Sequence, residues 1–309
     1  MKNIMYKIGN LSLAMLIFFT FSIPSIYSQG QVQLFISPQF DDVGDFMEGL
    51  APVLKNGKWG FINTKGMFVI NPQFVKAYPF MEGLAAIEIN NKWGYINKNG
   101  KIVIDAQFDA ATDFSEGFAA AKKGNKWGYI QKDGKFSIQP IFDHASSFKL
   151  GLAPVAQHNT WGFIDVLGRF SIGKQFEAAK SFHEGLAAIQ KGGNWGYIDT
   201  NGNMIIPTKY SAAGSFSEGI APVRVKDKWG FINRKDDFII QPKFDGAVSF
   251  YEGMAAIRIG KQIKGNVGYI DETGSYVIQP TYDWAESFSA GMAAVQIKKK
   301  WGYIGYIAP

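Results

Sequence analysis

Acidic side chains recur along this chain at positions that suggest acid–base chemistry. One Glu occupies an equivalent position in six segments, and an Asp recurs in five: Glu48, Glu82, Glu116, Glu184, Glu218, Glu252, Asp41, Asp109, Asp143, Asp245 and Asp283. Glycosidases place two carboxyl groups on either side of one bond, whereas each segment here supplies one acid at each position. We therefore interpret both sets as partners of backbone N–H groups at turns and strand ends.

Other reactive side chains are scarce. The 309 residues include no Cys, which excludes thiolate metal sites and catalytic thiols. The three histidines, His144, His158 and His183, occupy different places in the repeated segments, so repetition does not bring them together. There is no phosphate-binding loop and no Gly-x-Ser-x-Gly or His-Glu-x-x-His motif. The sequence predicts no catalytic residue, no cofactor and no metal site, and hence a protein that is not an enzyme.

The composition indicates a folded β protein. A hydrophobic fraction of 47% argues against intrinsic disorder, and 35 glycines with 15% aromatic residues favour many short strands and turns. The net charge is +6. It becomes +4 without Lys2 and Lys7, since 6 minus 2 is 4. So small a charge predicts no nucleic-acid partner.

Residues 1–28 have the pattern of a secretory signal peptide. Two lysines precede an uncharged apolar run over 11–23, and Ser28 offers a small residue before Gln29. The run is shorter than the roughly 20 apolar residues of a transmembrane helix, although an uncleaved membrane anchor is the alternative. We expect cleavage, no integral membrane segment afterwards, and export to the periplasm, cell surface or extracellular space. The mature chain, 29–309, is then one domain.

A Trp-Gly pair divides the rest of the chain into equal segments. Its first five intervals are 34 residues each and the last is 72, and the tryptophans are Trp59, Trp93, Trp127, Trp161, Trp195, Trp229 and Trp301. Val267-Gly268 takes the missing place, and four extra residues lie within 258–266. Eight tandem copies in one register identify a repeat array.

Each copy is cut by turns too closely for helices. A Phe-x-Glu-Gly turn precedes a short apolar run, and a polar first turn leads to Trp-Gly-Tyr/Phe-Ile. A second turn such as Asn63 to Gly66 precedes a β-branched run, and its last position needs a residue that tolerates positive φ. Asp236 replaces that Gly in one copy. The pattern predicts a meander of three short strands, with a fourth around the Phe-Asp-x-Ala segment.

Both faces of the predicted sheets are apolar. In the first copy Trp59 and Phe61 point to one face and Ile62 to the other. A sheet that is apolar on both faces must be covered on both, and the preceding and following copies are the natural covers. We therefore assign the seven repeated tryptophans to the repeat core. The Gly after each Trp fits a close neighbour or a β-bulge.

The chain ends bear on whether the array closes. Residues 34–40 match the end of a copy, as in 68–74, whereas the carboxyl end stops soon after Ile304, where that strand is due. Joining the two ends completes an eighth unit and removes exposed sheet edges. We favour a propeller-like closed ring, and an open β-solenoid is the alternative.

The repeat unit, with its Phe-Asp-x-Ala, Glu-Gly-Leu-Ala-Ala and Lys-Trp-Gly-Tyr-Ile elements, resembles the bacterial WG repeat, also called the KWG repeat. The resemblance covers nearly all of residues 31–305. It implies a protein-interaction module with no agreed catalytic activity. The departures are Val267 in place of Trp, the adjoining insertion, and Lys149-Leu150 in place of Ser-Glu.

Binding residues are expected where the copies differ. The residue two beyond the first Phe of each copy is Asp42, Lys76, Ala110, His144, Ala178, Ala212, Gly246 or Trp284, and such variation predicts exposure. Trp284 either anchors a partner or sugar, or fills a gap at the end of the array. Val267 and the insertion either open a pocket or reflect drift.

The first turns carry half of the 32 basic residues, including Lys122, Lys123, Lys126, Lys298, Lys299 and Lys300. Equivalent turns lie on one side of the array and form a positive rim. The rim either attracts an acidic partner or is a solvated edge that deters aggregation. The sequence favours a non-catalytic, exported scaffold for an unknown protein partner. The alternative is a module that binds an acidic glycan or another cell-envelope polyanion.

Overall fold

The computed structural model describes residues 31–260 and 266–307. The predicted signal peptide and most of the insertion lie outside the described residues. Over those two ranges the chain forms 32 strands in eight four-stranded antiparallel sheets, with no helix. Accordingly, these ranges hold no helix long and apolar enough to cross a membrane.

Each sheet is one blade, and the first strand, at one edge of the blade, is very short. The first strand of every blade has two residues: β2 (Asp42–Val43), β6 (Lys76–Ala77), β10 (Ala110–Ala111), β14 (His144–Ala145), β18 (Ala178–Ala179), β22 (Ala212–Ala213), β26 (Gly246–Ala247) and β30 (Trp284–Ala285). The second strand has four to six: β3 (Leu50–Lys55), β7 (Leu84–Ile89), β11 (Ala119–Lys123), β15 (Ala153–Gln157), β19 (Leu186–Lys191), β23 (Ile220–Val225), β27 (Ala255–Arg258) and β31 (Met292–Ile297). The predicted fourth strand at Phe-Asp-x-Ala is thus confirmed as the short first strand.

The other two strands carry the Trp-Gly pair and the β-branched run. The third strands are β4 (Lys58–Asn63), β8 (Lys92–Asn97), β12 (Lys126–Ile130), β16 (Thr160–Ile164), β20 (Asn194–Asp199), β24 (Lys228–Asn233), β28 (Val267–Ile270) and β32 (Lys300–Ile307). The fourth strands are β5 (Phe68–Phe74), β9 (Ile102–Phe108), β13 (Phe136–Phe142), β17 (Phe170–Phe176), β21 (Met204–Tyr210), β25 (Phe238–Phe244), β29 (Tyr276–Tyr282) and β1 (Gln31–Phe40).

The amino-terminal strand closes the ring. We number the blades 1 to 8 in chain order, starting with the sheet of β2 to β5. In blade 8 the strand order is β1-β32-β31-β30, so β1 supplies the fourth strand of the last blade. It pairs antiparallel with β32, with Leu34 opposite Ile304 and Phe40 opposite Trp301. The eight blades therefore form a β-propeller, which confirms the predicted closed ring and shows that the open solenoid is wrong.

Adjacent blades cover each other's faces as predicted. Eight clusters of buried side chains make up the core, one at each boundary between blades. Phe61 packs toward blade 2 with Phe80, Ile87 and Ile96, while Ile62 packs toward blade 8. Both faces of each sheet are thus removed from water, which is the main stabilising term in such an array.

The Gly after each Trp lies at a β-bulge against the fourth strand of its own blade. In blade 1, Trp59 is opposite Phe74 but Phe61 is opposite Ile70, which leaves extra residues in the fourth strand. A Cβ on Gly60 would lie 2.6 Å from the carbonyl oxygen of Ile70. The close neighbour is therefore a strand of the same copy, not an adjacent repeat.

The second turn forms as its sequence predicts. The Asn63 side chain accepts hydrogen bonds from the backbone N–H groups of Lys65 and Met67, and Gly66 has φ of +77°. Asp236, which replaces this Gly in blade 6, has φ of +70°. Asp tolerates the left-handed conformation better than most residues do, so the turn survives the replacement.

The two kinds of turn define two faces of the ring. First turns join the second and third strands, and second turns join the third and fourth strands. Because these turns lie at opposite ends of the third strand, they lie on opposite sides of the propeller. We call these sides the first-turn face and the second-turn face. The Phe-x-Glu-Gly turns belong to the second-turn face, where Lys98 of a second turn donates to the carbonyl oxygen of Glu48.

Candidate functional site

The repeated glutamates join neighbouring blades on the second-turn face. Each carboxylate accepts hydrogen bonds from a backbone N–H group 34 or 35 residues later in most blades and 39 later across the insertion: Glu48 to Gly83, Glu82 to Gly117, Glu116 to Leu150 and Gly151, Glu184 to Gly219, Glu218 to Gly253 and Glu252 to Gly291. The interpretation of these acids as backbone partners is borne out in the structure. Leu150 and Ala290 stand at the Glu position in blades 4 and 8. Serine hydroxyls bridge these two boundaries, as they also do at some boundaries that keep the Glu.

We expect Glu116→Ala to lower the free energy of unfolding by about 1–2 kcal/mol, the usual effect of losing hydrogen bonds to a partly exposed charged group. Its oxygens lie 2.7 Å from the Leu150 nitrogen and 2.9 Å from that of Gly151. Urea unfolding gives the measurement. Glu116→Gln is the control, because it keeps one acceptor oxygen and the same positive φ of 54° at residue 116. It should lose less free energy of unfolding. Equal losses in the two variants would contradict the role of the carboxylate.

The repeated aspartates also accept backbone hydrogen bonds, on the first-turn face. The carboxylates of Asp109 and Asp143 accept a backbone N–H from the following first turn, and each also pairs with a Lys that precedes a Trp. In each case the hydrogen bond from the Lys is the main reason why the pKa of the Asp lies below its usual range. These acids are therefore ionised structural groups.

The predicted positive rim is partly neutralised by these pairs. Of the six lysines singled out in the sequence, Lys126 and Lys300 form ion pairs with Asp143 and Asp41. Lys122, Lys123, Lys298 and Lys299 form no ion pair within the described part of the chain. In blades 3 and 8 the positive charge that faces solvent thus lies at the tips of the first turns.

The tryptophans lie at the edge of the core on this face. Trp93 and Trp301 are buried, with 6% and 8% exposure, but Trp59, Trp127, Trp161, Trp195 and Trp229 are only half-buried. The centre of each core instead holds the Tyr or Phe two residues later, such as the fully buried Tyr95. All seven rings nevertheless contribute to the core: Trp93 and Trp301 belong to buried clusters, and the other five pack against such clusters from the edge. The five half-buried rings lie near the start of the third strand, beside the first turn. The neighbouring blade does not fully cover them there.

Each Trp belongs to a row of four residues that runs across its blade. In blade 2 the row is Lys76, Glu88, Trp93 and Phe108, which are paired from strand to strand. Cross-strand partners point to the same face of a sheet, so the variable first-strand residue lies next to the Trp. The position that the sequence marks as variable is thus the one that covers or uncovers the indole.

Lys76 and His144 cover the Trp of their own blade. The Lys76 Nζ lies 5.8 Å from the Trp93 ring and 3.1 Å from a Glu88 oxygen. The His144 ring stacks on Trp161 at 5.9 Å with an interplanar angle of 16°. Both side chains are exposed, as predicted. Their contacts cover part of each indole, a packing role that variation between the copies did not reveal.

Grooves remain where the variable residue is small. At Ala110 a cavity of about 510 Å³ lies between Trp93 and Trp127, with Tyr78 and Asp113 in its wall. Burial raises the pKa of the Asp113 carboxyl to about 7. Ala178 and Ala212 are also small, but Lys180 lies over Trp195 and Arg224 over Trp229.

The Asp113 carboxyl makes stability depend on pH in an unusual direction. The unfolded group ionises near 3.8 and the folded group near 7, so the free energy of unfolding falls as pH rises between these values. Asp113→Asn has no such titration. We expect its stability relative to the unaltered protein to rise from pH 4 to pH 7 and then level off, as measured by urea unfolding. A difference that does not change with pH would contradict this.

A second cavity lies at blade 7, where two positions of the Trp row hold smaller residues than in the other blades. The row there is Gly246, Arg258, Val267 and Tyr282, so the first residue has no side chain and Val replaces Trp. A cavity of about 300 Å³ occupies this place. Of the two sequence interpretations, the structure places a pocket at Val267.

The walls of the blade-7 cavity come from three blades. Blade 6 supplies Arg224 and Trp229, blade 7 supplies Arg258 and Val267, and blade 8 supplies Trp284. Trp284 is 42% exposed, and its Nε1 donates to a Glu286 oxygen at 2.9 Å. The residue that the sequence proposed as an anchor therefore lies in a cavity wall. The sequence places Arg224 and Arg258 among the basic residues of the first turns, and only the propeller brings them together beside the missing indole.

The cavity is positively charged. Arg258 has one long contact, 3.4 Å from Nη2 to the carbonyl oxygen of Asp245, and its buried Nε has no partner among the described residues. Arg224 donates from Nε to the Ser211 hydroxyl at 3.1 Å. Asp245 is engaged by Lys228, whose hydrogen bond is the chief cause of its lowered pKa. Neither arginine is paired with a carboxylate in the described ranges.

Eight four-stranded blades, closed by a strand from the amino terminus, define a β-propeller. The profile of the family described as WG containing repeat matches residues 33–59, 59–93, 93–127, 127–161, 161–195, 195–229, 229–262 and 268–301. The chain belongs to this family. No curated protein matches its sequence.

Solved structures support the same class of fold. A structure described as a eukaryotic initiation factor is 9% identical, with a TM-score of 0.57, over 89% of this chain and 92% of that one. The carboxyl-terminal WD40 domain of Sif2 is 10% identical, with a TM-score of 0.53, over 89% and 99%. Hsv2p of Kluyveromyces lactis is 11% identical, with a TM-score of 0.53, over 76% and 93%. At such identities the likeness concerns the fold alone.

Proposed function

We propose that this protein is a non-catalytic, exported scaffold that binds a protein partner through its first-turn face. The observation that carries the proposal is the ring of tryptophan rows on that face. Five indoles are half-buried. The surroundings of the rows differ from blade to blade: Lys76 lies over an indole, whereas cavities lie at Ala110 and at Gly246. Aromatic and cationic side chains that are partly exposed together are typical of interaction surfaces.

The arrangement of the acids supports a binding role over a catalytic one. The repeated Glu and Asp side chains already accept backbone hydrogen bonds or pair with lysines. Residues with regular structural duties are poor candidates for a reaction. The residues that vary between blades are instead Asp, Lys, His, Trp, Gly and Ala in the first strand, and this chemical variety suits recognition.

Photo-crosslinking from both faces tests the scaffold proposal. A photoreactive residue replaces Tyr78 or Trp284 on the first-turn face, and Met67 or Leu167 in second turns serve as controls of comparable or greater exposure. Purified protein is irradiated in an envelope extract. We expect discrete protein adducts from the first two positions only, and competition by unsubstituted protein. Adducts that form equally from both faces, or that resist competition, would contradict the proposal.

Export is tested separately by expressing the full chain and fractionating the cells. We expect a mature protein whose amino terminus is Gln29, recovered outside the cytoplasm. The basis is the charged start, the 13-residue apolar run and the small residue at 28. A cytoplasmic protein that retains Met1 would contradict this part of the proposal and leave the interaction face to be judged by crosslinking.

A further inference from the structure

Blade 7 is the place where the repeat departs most from its own pattern, and three departures coincide there. The Trp is replaced by Val267, the variable first-strand residue is Gly246, and an insertion follows Arg258. Two of them remove side-chain volume from one row, and the result is the cavity of about 300 Å³. That volume is at the lower end of the range for small-molecule sites, about 300–1,000 Å³.

We propose that the blade-7 cavity binds one hexuronic acid unit of an acidic polysaccharide, with a guanidinium on its carboxylate and an indole against its ring. This site is additional to the protein-binding role proposed above and does not depend on it.

The carboxylate preference follows from the two arginines. Arg258 is held by a single contact of 3.4 Å, and its buried Nε donor has no partner among the described residues. A buried donor without an acceptor is costly, so a small rotation that gives it an acceptor is favoured when an anion enters. Arg224 adds a second guanidinium in the wall. Planar guanidinium groups match carboxylates in two parallel hydrogen bonds.

The preference for a sugar ring follows from the indoles. Trp229 and Trp284 line the cavity together with the apolar Ala247, Ile257 and Val267. Indole faces pack against the C–H side of a pyranose, which has both an apolar face and polar edges. An acidic peptide side chain is flexible and thin, so it reaches the arginines without covering the rings. Arg224 lies over the Trp229 ring, so Trp284, which is 42% exposed, supplies the open indole face. One open indole beside two guanidinium groups favours a carboxylated ring over an acidic peptide.

The cavity also lies in a favourable electrostatic field. Arg224, Arg258 and Asp245 line the cavity, and Lys228 engages the Asp245 carboxylate at 2.8 Å. The Glu286 carboxylate beside the wall is likewise engaged, by the Trp284 Nε1 donor. The first-turn lysines Lys298 and Lys299 of blade 8 extend the positive surface beyond the cavity. A polysaccharide with one carboxylate per sugar would follow this surface while a single unit occupies the cavity.

Isothermal titration calorimetry on the mature chain tests the proposal with three oligosaccharide probes: tri-galacturonate and trimers that contain glucuronate or mannuronate. We expect 1:1 binding of at least one of them, and at least tenfold weaker binding of the matching neutral trimer. Arg258→Gln should weaken binding roughly 10- to 100-fold, which corresponds to losing one hydrogen bond to a charged group. Trp284→Ala should weaken it by roughly tenfold.

Val267→Trp is the decisive variant because it restores the repeat residue and fills the cavity. It should abolish binding while its unfolding temperature stays the same or rises, so a folding defect cannot explain the loss. Arg169→Gln is the charge-matched control, since Arg169 pairs with Asp165 in a second turn on the opposite face. Its affinity should equal that of the unaltered protein.

Three results would overturn the proposal. The first is no binding of any uronate trimer, and the second is unchanged binding by the Val267→Trp variant. The third is binding of an octaglutamate peptide as tight as that of the uronates and equally lost in Val267→Trp, which would assign the cavity to acidic peptides instead.

Discussion

Deleting residues 29–38 is expected to destroy most of the stability of the ring. The deletion removes nearly all of β1 and its pairing with β32, from Gln31 opposite Ile307 to Ile36 opposite Tyr303. It also removes the buried Ile36 from the core between blades 8 and 1. Loss of one such side chain typically costs about 2–5 kcal/mol, and the pairing and the exposed edge of β32 add to it. We expect the unfolding temperature to fall by roughly 10 °C or more, as measured by calorimetry.

A circular permutant provides the matched control for this deletion. Gln31 and Ile307 are paired, so a short Gly/Ser linker can join the strands that contain them. New ends are placed in the second turn of blade 4, next to the exposed Leu167. Every strand is retained, and β17 then closes blade 4 as β1 closes blade 8. We expect the permutant to keep most of its stability. A deletion effect no larger than terminal fraying would show that strand sharing does not hold the ring together.

Gly196→Ala is expected to destabilise blade 5 strongly although it adds one methyl group. A Cβ at this Trp-Gly position would lie 2.4 Å from the carbonyl oxygen of Ile206 and 2.8 Å from the nitrogen of Thr208. These atoms belong to the backbone of the fourth strand, so they cannot move aside as a flexible side chain would. We expect a loss of about 3 kcal/mol, at the upper end for overpacking, measured by urea unfolding.

Gly173→Ala is the control for that substitution. Gly173 lies in a fourth strand, and an added Cβ there would meet no atom within 4 Å. Its stability should change by no more than about 0.5 kcal/mol, since Ala is also less flexible than Gly in the unfolded chain. Similar losses at the two positions would mean that general strand flexibility, not the close approach at the bulge, explains the requirement for Gly.

The first-turn face shows how an array of similar blades acquires a specific site. The repeated residues build the ring: the Tyr95 hydroxyl, for example, donates to the carbonyl oxygen of Thr112 in the next blade at 2.8 Å. Its burial raises its pKa well above the usual range, so it remains a donor. The residues that vary, such as Lys76 or Gly246, decide which grooves stay open. The blades thus differ in which indole is covered.

Local features of the sequence predicted the elements of the fold well. The turn of Asn63 to Gly66 depends on contacts within five residues, so its geometry follows from its own side chains. The apolar character of Phe61 and Ile62 on opposite faces implied covers on both sides, and the repeat supplied them. The matching segments at the two ends implied closure, which the pairing of β1 with β32 confirms.

The residues around the blade-7 cavity were less predictable because their environment comes from other blades. Trp284 and Val267 were singled out from the sequence, as departures from the repeat. Arg224 and Arg258 were counted only among the basic residues of the first turns, since each is unremarkable in its own copy. Their common cavity exists because blades 6, 7 and 8 are adjacent in the ring.

The sequence by itself determined the repeat, the strands, the turns and the closing strand, because hydrophobic alternation and turn chemistry act over a few residues and recur in every copy. The tertiary structure decided which side chains are covered, since cover is supplied by a residue in another strand or blade. It showed that Lys76 and His144 shield their own tryptophans, that the repeated acids hold adjacent blades together, and that Gly246 and Val267 leave one row open. Packing between distant segments sets exposure, and exposure sets what a surface can bind.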